Sequence, residues 1–262
     1  MTTKVPVELS STPGIVDGSN ATAITIDSSE NVTLTGTVNG FGLKTFGTHS
    51  FLISEDGTTG TIDDAQYNVG FGVNVFEALT SGDQNTGIGG FAFEALTTGS
   101  NNTAIGLNGL RALTTGTNNT TVGSLSLRTN TTGSNNTAVG YAALNANTTE
   151  SKIVAVGASA LTANTTGTNG VAVGADALKT NTTGDSNTGL GFGALEANTT
   201  ASNNTAVGFT ALLSNTTGAD NVAIGMQSLK SNTTASFNVA IGKNSMEANT
   251  TGANKTQLVE SH

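Results

Sequence analysis

One glycine column governs this sequence. Gly72, Gly89, Gly106, Gly123, Gly140, Gly157, Gly174, Gly191, Gly208, Gly225 and Gly242 stand seventeen residues apart without a miss, in a chain of 262 residues and 34 glycines. A period that short and that strict means each unit repeats one backbone path a step further along an axis. Each unit then packs mainly on its two neighbours, and the product is a rod rather than a globule.

The residues around each glycine say what the path is. Directly before it comes a large apolar residue, from Phe71 and Ile88 to Val207, Ile224 and Ile241. Three before it is always Thr or Val, from Val69 and Thr86 to Val222 and Val239, and Gly, Ala or Thr lies between. A period-two triplet with β-branched residues on one face and small ones on the other predicts a short strand ended by glycine. Asn usually opens the strand, as at Asn136, Asn204 and Asn221; Ile153 and Gly170 are the exceptions.

A second apolar column follows four residues after each glycine: Phe76, Phe93, then Leu110 through Leu229, then Met246. Stretches such as "YAALNA" and "ADALKT" are rich in helix formers, so a single helical turn is expected there, with a bent second strand as the alternative. The next position carries most of the charge, with Glu77, Glu94, Arg111, Arg128, Lys179, Glu196, Lys230 and Glu247, and should face water. "NTTG" or a close variant then closes the unit, with Thr in one fixed place from Thr80 to Thr250. That run suits a tight turn with a left-handed residue and side-chain bonds to the backbone. Stacked rungs would align these Asn and Thr residues into hydrogen-bonded ladders.

Only 10% of the residues are charged and 5% aromatic. Disorder accompanies high charge and scrambled order, whereas here the order is rigid, so the bias reflects repeat architecture. Two reliably large apolar side chains per seventeen residues is little apolar area to set against the entropy of ordering them. Chains that share one core would supply more, and the small residues beside the apolar columns permit close approach.

The ends do not keep the ruler. "ATAITIDSSENVTLTGTVNG" predicts a hairpin with strands at 22–27 and 32–38 around a turn at 28–31, and "KVPVEL" at 4–9 alternates like an edge strand. Past Gly242, Thr256 and Leu258 fall in the strand columns and Val259 in the glycine place, so a twelfth rung begins in register. The expected organisation is an N-terminal β attachment region at 1–40, a junction at 41–67, a rod of eleven repeats at 68–252, and a cap or tail at 253–262.

"NVAIG" (221–225, 238–242) and "VAVG" (154–157, 171–174) resemble the head domains of trimeric autotransporter adhesins. That family implies a left-handed parallel β-roll, a trimer and an adhesive role. The longer unit "NTAVGYAALNANTT" (136–149, with Glu150 in the glycine place) is similar to repeat regions of bacteriophage tail fibres. The opening segment, residues 4–36, is similar to N-terminal segments of fibre-like virion proteins from marine phages. Together these resemblances imply a mainly β stacked-coil β-solenoid of eleven seventeen-residue repeats, assembled as a homotrimeric rod.

The function expected is a structural phage virion fibre, on tail or capsid. It is made in the host cytoplasm, held to other virion proteins by its N-terminal region, and reaches a host receptor from the particle surface. An adhesin head of a bacterial surface protein is the alternative, and an ice- or glycan-binding solenoid the third. The segment "MTTKVPVELSSTPGIVDGS" lacks a continuous apolar core and no stretch reaches eighteen apolar residues, so neither a secretory signal nor membrane insertion is expected.

Net charge is −9, with −6 carried by residues 1–67 (two Lys against eight Asp and Glu), which disfavours nucleic acid. No catalytic site, cofactor or metal is expected. His49 and His262 are the only histidines, there is no Cys, and the adjacent pairs Glu55–Asp56 and Asp63–Asp64 read as solvated loop acids. The Asn-x-Thr sequons follow from a ladder built of Asn and Thr. A receptor site would use the variable residues between "NTT" and the next Asn, or the tip at 243–262.

Overall fold

The computed structural model describes residues 65–258, together with the strand segments 24–26, 32–34, 37–38, 41–44 and 51–54. It is all β over these residues. β1 (Ile24–Ile26) and β2 (Val32–Leu34) form the expected antiparallel hairpin, with Thr25 opposite Thr33, but the second strand expected at 32–38 divides and its residues 37–38 join another sheet. β3 (Thr37–Val38), β4 (Phe41–Lys44) and β5 (Phe51–Ser54) make an antiparallel meander that starts a second sheet. The edge strand expected at 4–9 lies outside the described residues.

From β6 (Val69–Phe71) onward every strand is three residues long and pairs parallel with the one before it. Eleven more, β7 through β17, follow at steps of seventeen, the last at Thr256–Leu258. Register follows the ruler residue for residue: Thr137 pairs with Val154, Ala138 with Ala155 and Val139 with Val156. Twelve parallel strands in line make a β-solenoid of about eleven turns, some 50 Å long at ~4.8 Å per rung. The twelfth rung is in register, as the spacing predicted.

Two features of the rung depart from expectation. The Leu column does not form a helical turn. Leu110, Leu144 and Leu178 have φ of 47°, 54° and 51°, and the residue two before each also lies at positive φ: Asn108, Ala142 and Asp176. Alternating left-handed residues break any helix. They tighten the corner and let each backbone N–H bond to the next rung, as Leu144 N–H does to the Ala160 carbonyl (2.9 Å). Holding Leu there costs about 1–2 kcal/mol of backbone strain, which burial of the whole side chain offsets. The third left-handed place lies two residues beyond the glycine place of the "NTTG" turn, at Asn101, Asn118, Asn135, Asn169, Asn203 and Asn254 in six rungs, rather than inside the turn.

The second departure concerns the strand. Its middle, small residue points inward, while the two flanking residues face out: the pattern in β6 is exposed, buried, exposed. Ala104, Ala138, Ala155 and Ala206 are fully buried beneath the sheet, and the Phe and Leu column from the opposite wall fills the interior. A coil of seventeen residues has too narrow a lumen for large side chains from both walls. Where the opposite wall supplies Phe76 or Phe93, stacked at 5.5 Å, the strand centre shrinks to Gly70 or Gly87. A Cβ on Gly70 would lie 3.0 Å from the Phe76 ring.

Buried amides close the coil. Asn85 donates its backbone N–H and its Nδ2 to Asn68 Oδ1 (2.9 and 3.0 Å), and Nδ2 also donates to the Gly99 carbonyl (2.9 Å) at the far end of the same coil. Asn102 repeats this on Asn85, and Asn119 on Asn102. A second buried column runs seven residues after the glycine: Asn147 Nδ2 donates to Asn130 Oδ1 (3.2 Å), and Asn198 Nδ2 to Asn181 Oδ1 (2.7 Å). In four rungs both ladders meet on one carbonyl, as when Asn119 and Asn130 donate to Gly133 (2.8 and 3.0 Å). Lys255 closes both at the last rung: its N–H donates to Asn238 Oδ1 and its Nζ to Asn249 Oδ1, each at 3.0 Å.

Candidate functional site

The feature that stands out chemically is the outer face of the strands. The column before each glycine, which two-faced strand logic would place in a core, faces outward along the whole rod, half-buried at Val139, Val156, Val173 and Val207 and exposed elsewhere. Phe71 is 53% exposed, Leu190 45%, and Ile88, Ile105, Ile224 and Ile241 are close to two-fifths exposed. Beside it runs the Thr and Val column three before the glycine, half-buried to exposed. Isolated exposed apolar residues are ordinary, whereas an unbroken apolar stripe some 50 Å long is a contact surface.

Both margins of the stripe carry further large side chains. On the glycine side, directly after the anchor, stand Leu107, Tyr141, Phe192, Phe209 and Met226, all exposed; Phe192 and Phe209 stack at 5.5 Å. On the other margin, five residues before the anchor, Tyr67 and Phe237 are more than half exposed among otherwise polar residues. The apolar surface involved is on the order of 1,000 Å² per chain, comparable with the ~800 Å² per partner of a stable interface.

The other two sides of the coil are polar. The charged column is half-buried to exposed, and Glu94 pairs with Arg111, whose guanidinium lies 5.2 Å over the Phe91 ring. The hydrogen bond that Arg111 donates to Glu94 raises the Arg111 pKa, and the one that Lys179 donates to Asp176 (3.0 Å) raises that of Lys179. On the third side the first Thr of the turn is occupied in most rungs: Thr80 Oγ1 donates to the Thr97 carbonyl and Thr97 Oγ1 to Thr114, both at 3.0 Å. The second Thr, as at Thr98, Thr115 and Thr132, faces water in a single file. A flat two-column Thr array does not form there.

The sequon asparagines Asn130, Asn147, Asn164 and Asn181 are buried in the second ladder, so their amides are used in holding the fold. The variable residues expected near a receptor divide. Those just before the opening Asn are exposed, while the glycine place at the "NTTG" turn is buried. At the tip, Asn244, Met246, Glu247 and Gln257 line a shallow concavity, where Gln257 Oε1 accepts the Met246 N–H (3.0 Å). His49, His262, Glu55–Asp56 and Asp63–Asp64 lie outside the described residues. Among the described residues no three His, Cys, Asp or Glu side chains cluster, and no helix is long and apolar enough to cross a membrane.

The outward face of the strands could have been found in the sequence. The only clue is that every large residue before a glycine is paired with a Leu, Phe or Met from the other wall, and one narrow lumen cannot hold both. No protein-family model, curated protein or solved structure matches this chain.

Proposed function

We propose that this chain is a non-enzymatic structural fibre of a phage particle: a homotrimer held to other virion proteins by its N-terminal region, with the solenoid projecting to touch the host surface. The observation that carries the reading is the apolar strand face. A soluble rod with that stripe in water needs partners along its full length, and identical chains supply an identical repeat spacing. Rotation about an axis parallel to the rod brings the stripes together at the centre and leaves the charged column and the single file of Thr outside. The number three comes from the resemblance of "NVAIG" and "VAVG" to adhesin heads; the stripe itself calls for association. The amide and Thr ladders give stiffness, which suits a projecting element.

Sedimentation equilibrium of the full chain at micromolar concentration tests the assembly. The expected mass is three times 26.0 kDa. A stable monomer overturns the trimer. Mass spectrometry of purified particles tests the location, with the chain expected among the structural proteins; recovery from a bacterial cell envelope instead would favour the adhesin reading.

A further inference from the structure

We infer that neighbouring copies lock edge to edge at equal height, the residue directly after each anchor glycine meeting the next copy's residue five before the glycine of the same rung. The inference rests on the parallel assembly proposed above and adds its register and its specific contacts. In a closed rotational assembly there is no translation along the axis, so equal rungs face one another. The glycine margin of one stripe then abuts the opposite margin of the next. An antiparallel pair would instead lay like margins together.

At three levels a long or large side chain on one margin stands level with a small one on the other, while Asn101, Asn135 and Asn203 stand level with Leu107, Tyr141 and Phe209. Where the glycine margin carries Phe192, the other carries Ser186; where the second carries Lys152, the first carries Ala158. Gln84 stands level with Gly90. No level joins two like charges. The one level with a large aromatic on the second margin near the tip is Phe237, more than half exposed, and its counterpart is the exposed cation Lys243. A Lys over a Phe face is a favourable contact, and it fixes both the direction of rotation and the height. The lock thus combines large-against-small packing at the Lys152–Ala158 and Ser186–Phe192 levels with one cation–aromatic pair close to the tip.

Cysteine pairing tests this cleanly, since the chain has no Cys. In the full chain carrying Phe237→Cys and Lys243→Cys together, the two thiols of one copy sit on opposite margins of the stripe, separated by the width of the strand. That is about 15 Å or more, beyond the ~7 Å between Cα atoms that a disulfide tolerates. A bond can therefore form only between copies. Mild oxidation is expected to shift most of the protein to a band of three chain masses on a non-reducing gel, reversed by reductant, while each single variant stays at one. Lys152→Cys with Ala158→Cys, at the middle of the rod, is expected to do the same. If light scattering shows an oligomer but neither pair cross-links, the lock is wrong and the fibre reading stands. If light scattering shows monomers, the assembly itself is wrong and the lock falls with it.

Discussion

Leu79, Leu96 and Leu113 occupy, in the first three rungs, the buried place that Asn130, Asn147, Asn164 and each later Asn occupy in the rest of the rod. The backbone path does not change across that boundary. The turn bonds between rungs persist on both sides, with Thr97 N–H donating to the Thr114 carbonyl (2.9 Å) and Thr182 N–H to that of Thr199 (2.8 Å). What changes is how the interior is held. In the early rungs Leu packs beneath the turn, beside the stacked Phe76 and Phe93. In the later rungs each Asn donates to its own turn carbonyl and, except at Asn130 and Asn164, to the Asn below, as Asn215 does to Gly218 (2.9 Å) and Asn198 (3.1 Å). One coil therefore accepts an apolar or an amide filling, provided neighbouring rungs agree. The path is set elsewhere, by the glycine column and the strand.

The largest effect tests that common path. Gly89, in the Leu region, has φ of 127°, and a Cβ there would lie 2.6 Å from the Gly106 carbonyl carbon and oxygen. Gly208, in the Asn region, has φ of 136° and would meet the Gly225 oxygen at 2.5 Å. The obstructing atoms are backbone, so neither site relaxes without breaking the stack. Gly89→Ala and Gly208→Ala are each expected to cost at least ~3 kcal/mol, read as the loss of denaturation midpoint. Tolerance at one site and collapse at the other would show that the two regions do not share one path.

The next effect tests the agreement between rungs. Asn198→Leu removes the donor to Asn181 Oδ1, which then has no partner in a buried site. That change is expected to cost about 2–3 kcal/mol. Asn130→Leu moves the boundary by a single rung. Below it stands Leu113, so no side-chain oxygen is stranded, and Asn147 keeps its bond to the Glu150 carbonyl (3.0 Å). The expected cost is about 1 kcal/mol, read by the same denaturation. Equal costs at the two sites would mean that the ladder adds nothing beyond each rung's own turn.

Much of this was legible in the sequence because a fixed period carries register with it. Strand positions, parallel pairing, the Thr ladder and the β1–β2 hairpin all follow from spacing and turn residues. Two things did not follow. Helix-forming composition at "YAAL" says nothing of φ, and the left-handed Ala142 and Leu144 are imposed by the need to turn a corner and bond to the next rung. Alternation in "TAV" separates two faces without saying which is inside. The answer came from the width of the lumen, which admits Ala138 and Leu144 but not Val139 as well. The candidate interaction surface was therefore visible as a column of residues, with nothing in the alternation to turn it outward.

The rod also carries a flaw at its middle that can be mended. Ile153 and Gly170 replace two Asn of the strand-opening ladder, and at the same height Asn147 Oδ1 is buried without a partner. Asn204 N–H donates to Asn187 Oδ1 (3.0 Å), but Gly170 offers Asn187 no such acceptor. A Cβ on Gly170 would meet only Leu161 Cδ1 at 3.5 Å and Ile153 Cγ2 at 4.0 Å, which is ordinary contact, so an Asn fits there. Gly170→Asn is expected to give Asn187 N–H its acceptor and to lower the freedom of the unfolded chain. The rung should gain about 1 kcal/mol, with hydrogen exchange at the Asn187 amide slowed roughly fivefold. The flanking rungs already hold complete ladders, so exchange at Asn119 and Asn221 should not change. Slowing everywhere alike would mean that the rod opens as one unit; no slowing at Asn187 would mean that the ladder, continuous or broken, does not set local stability.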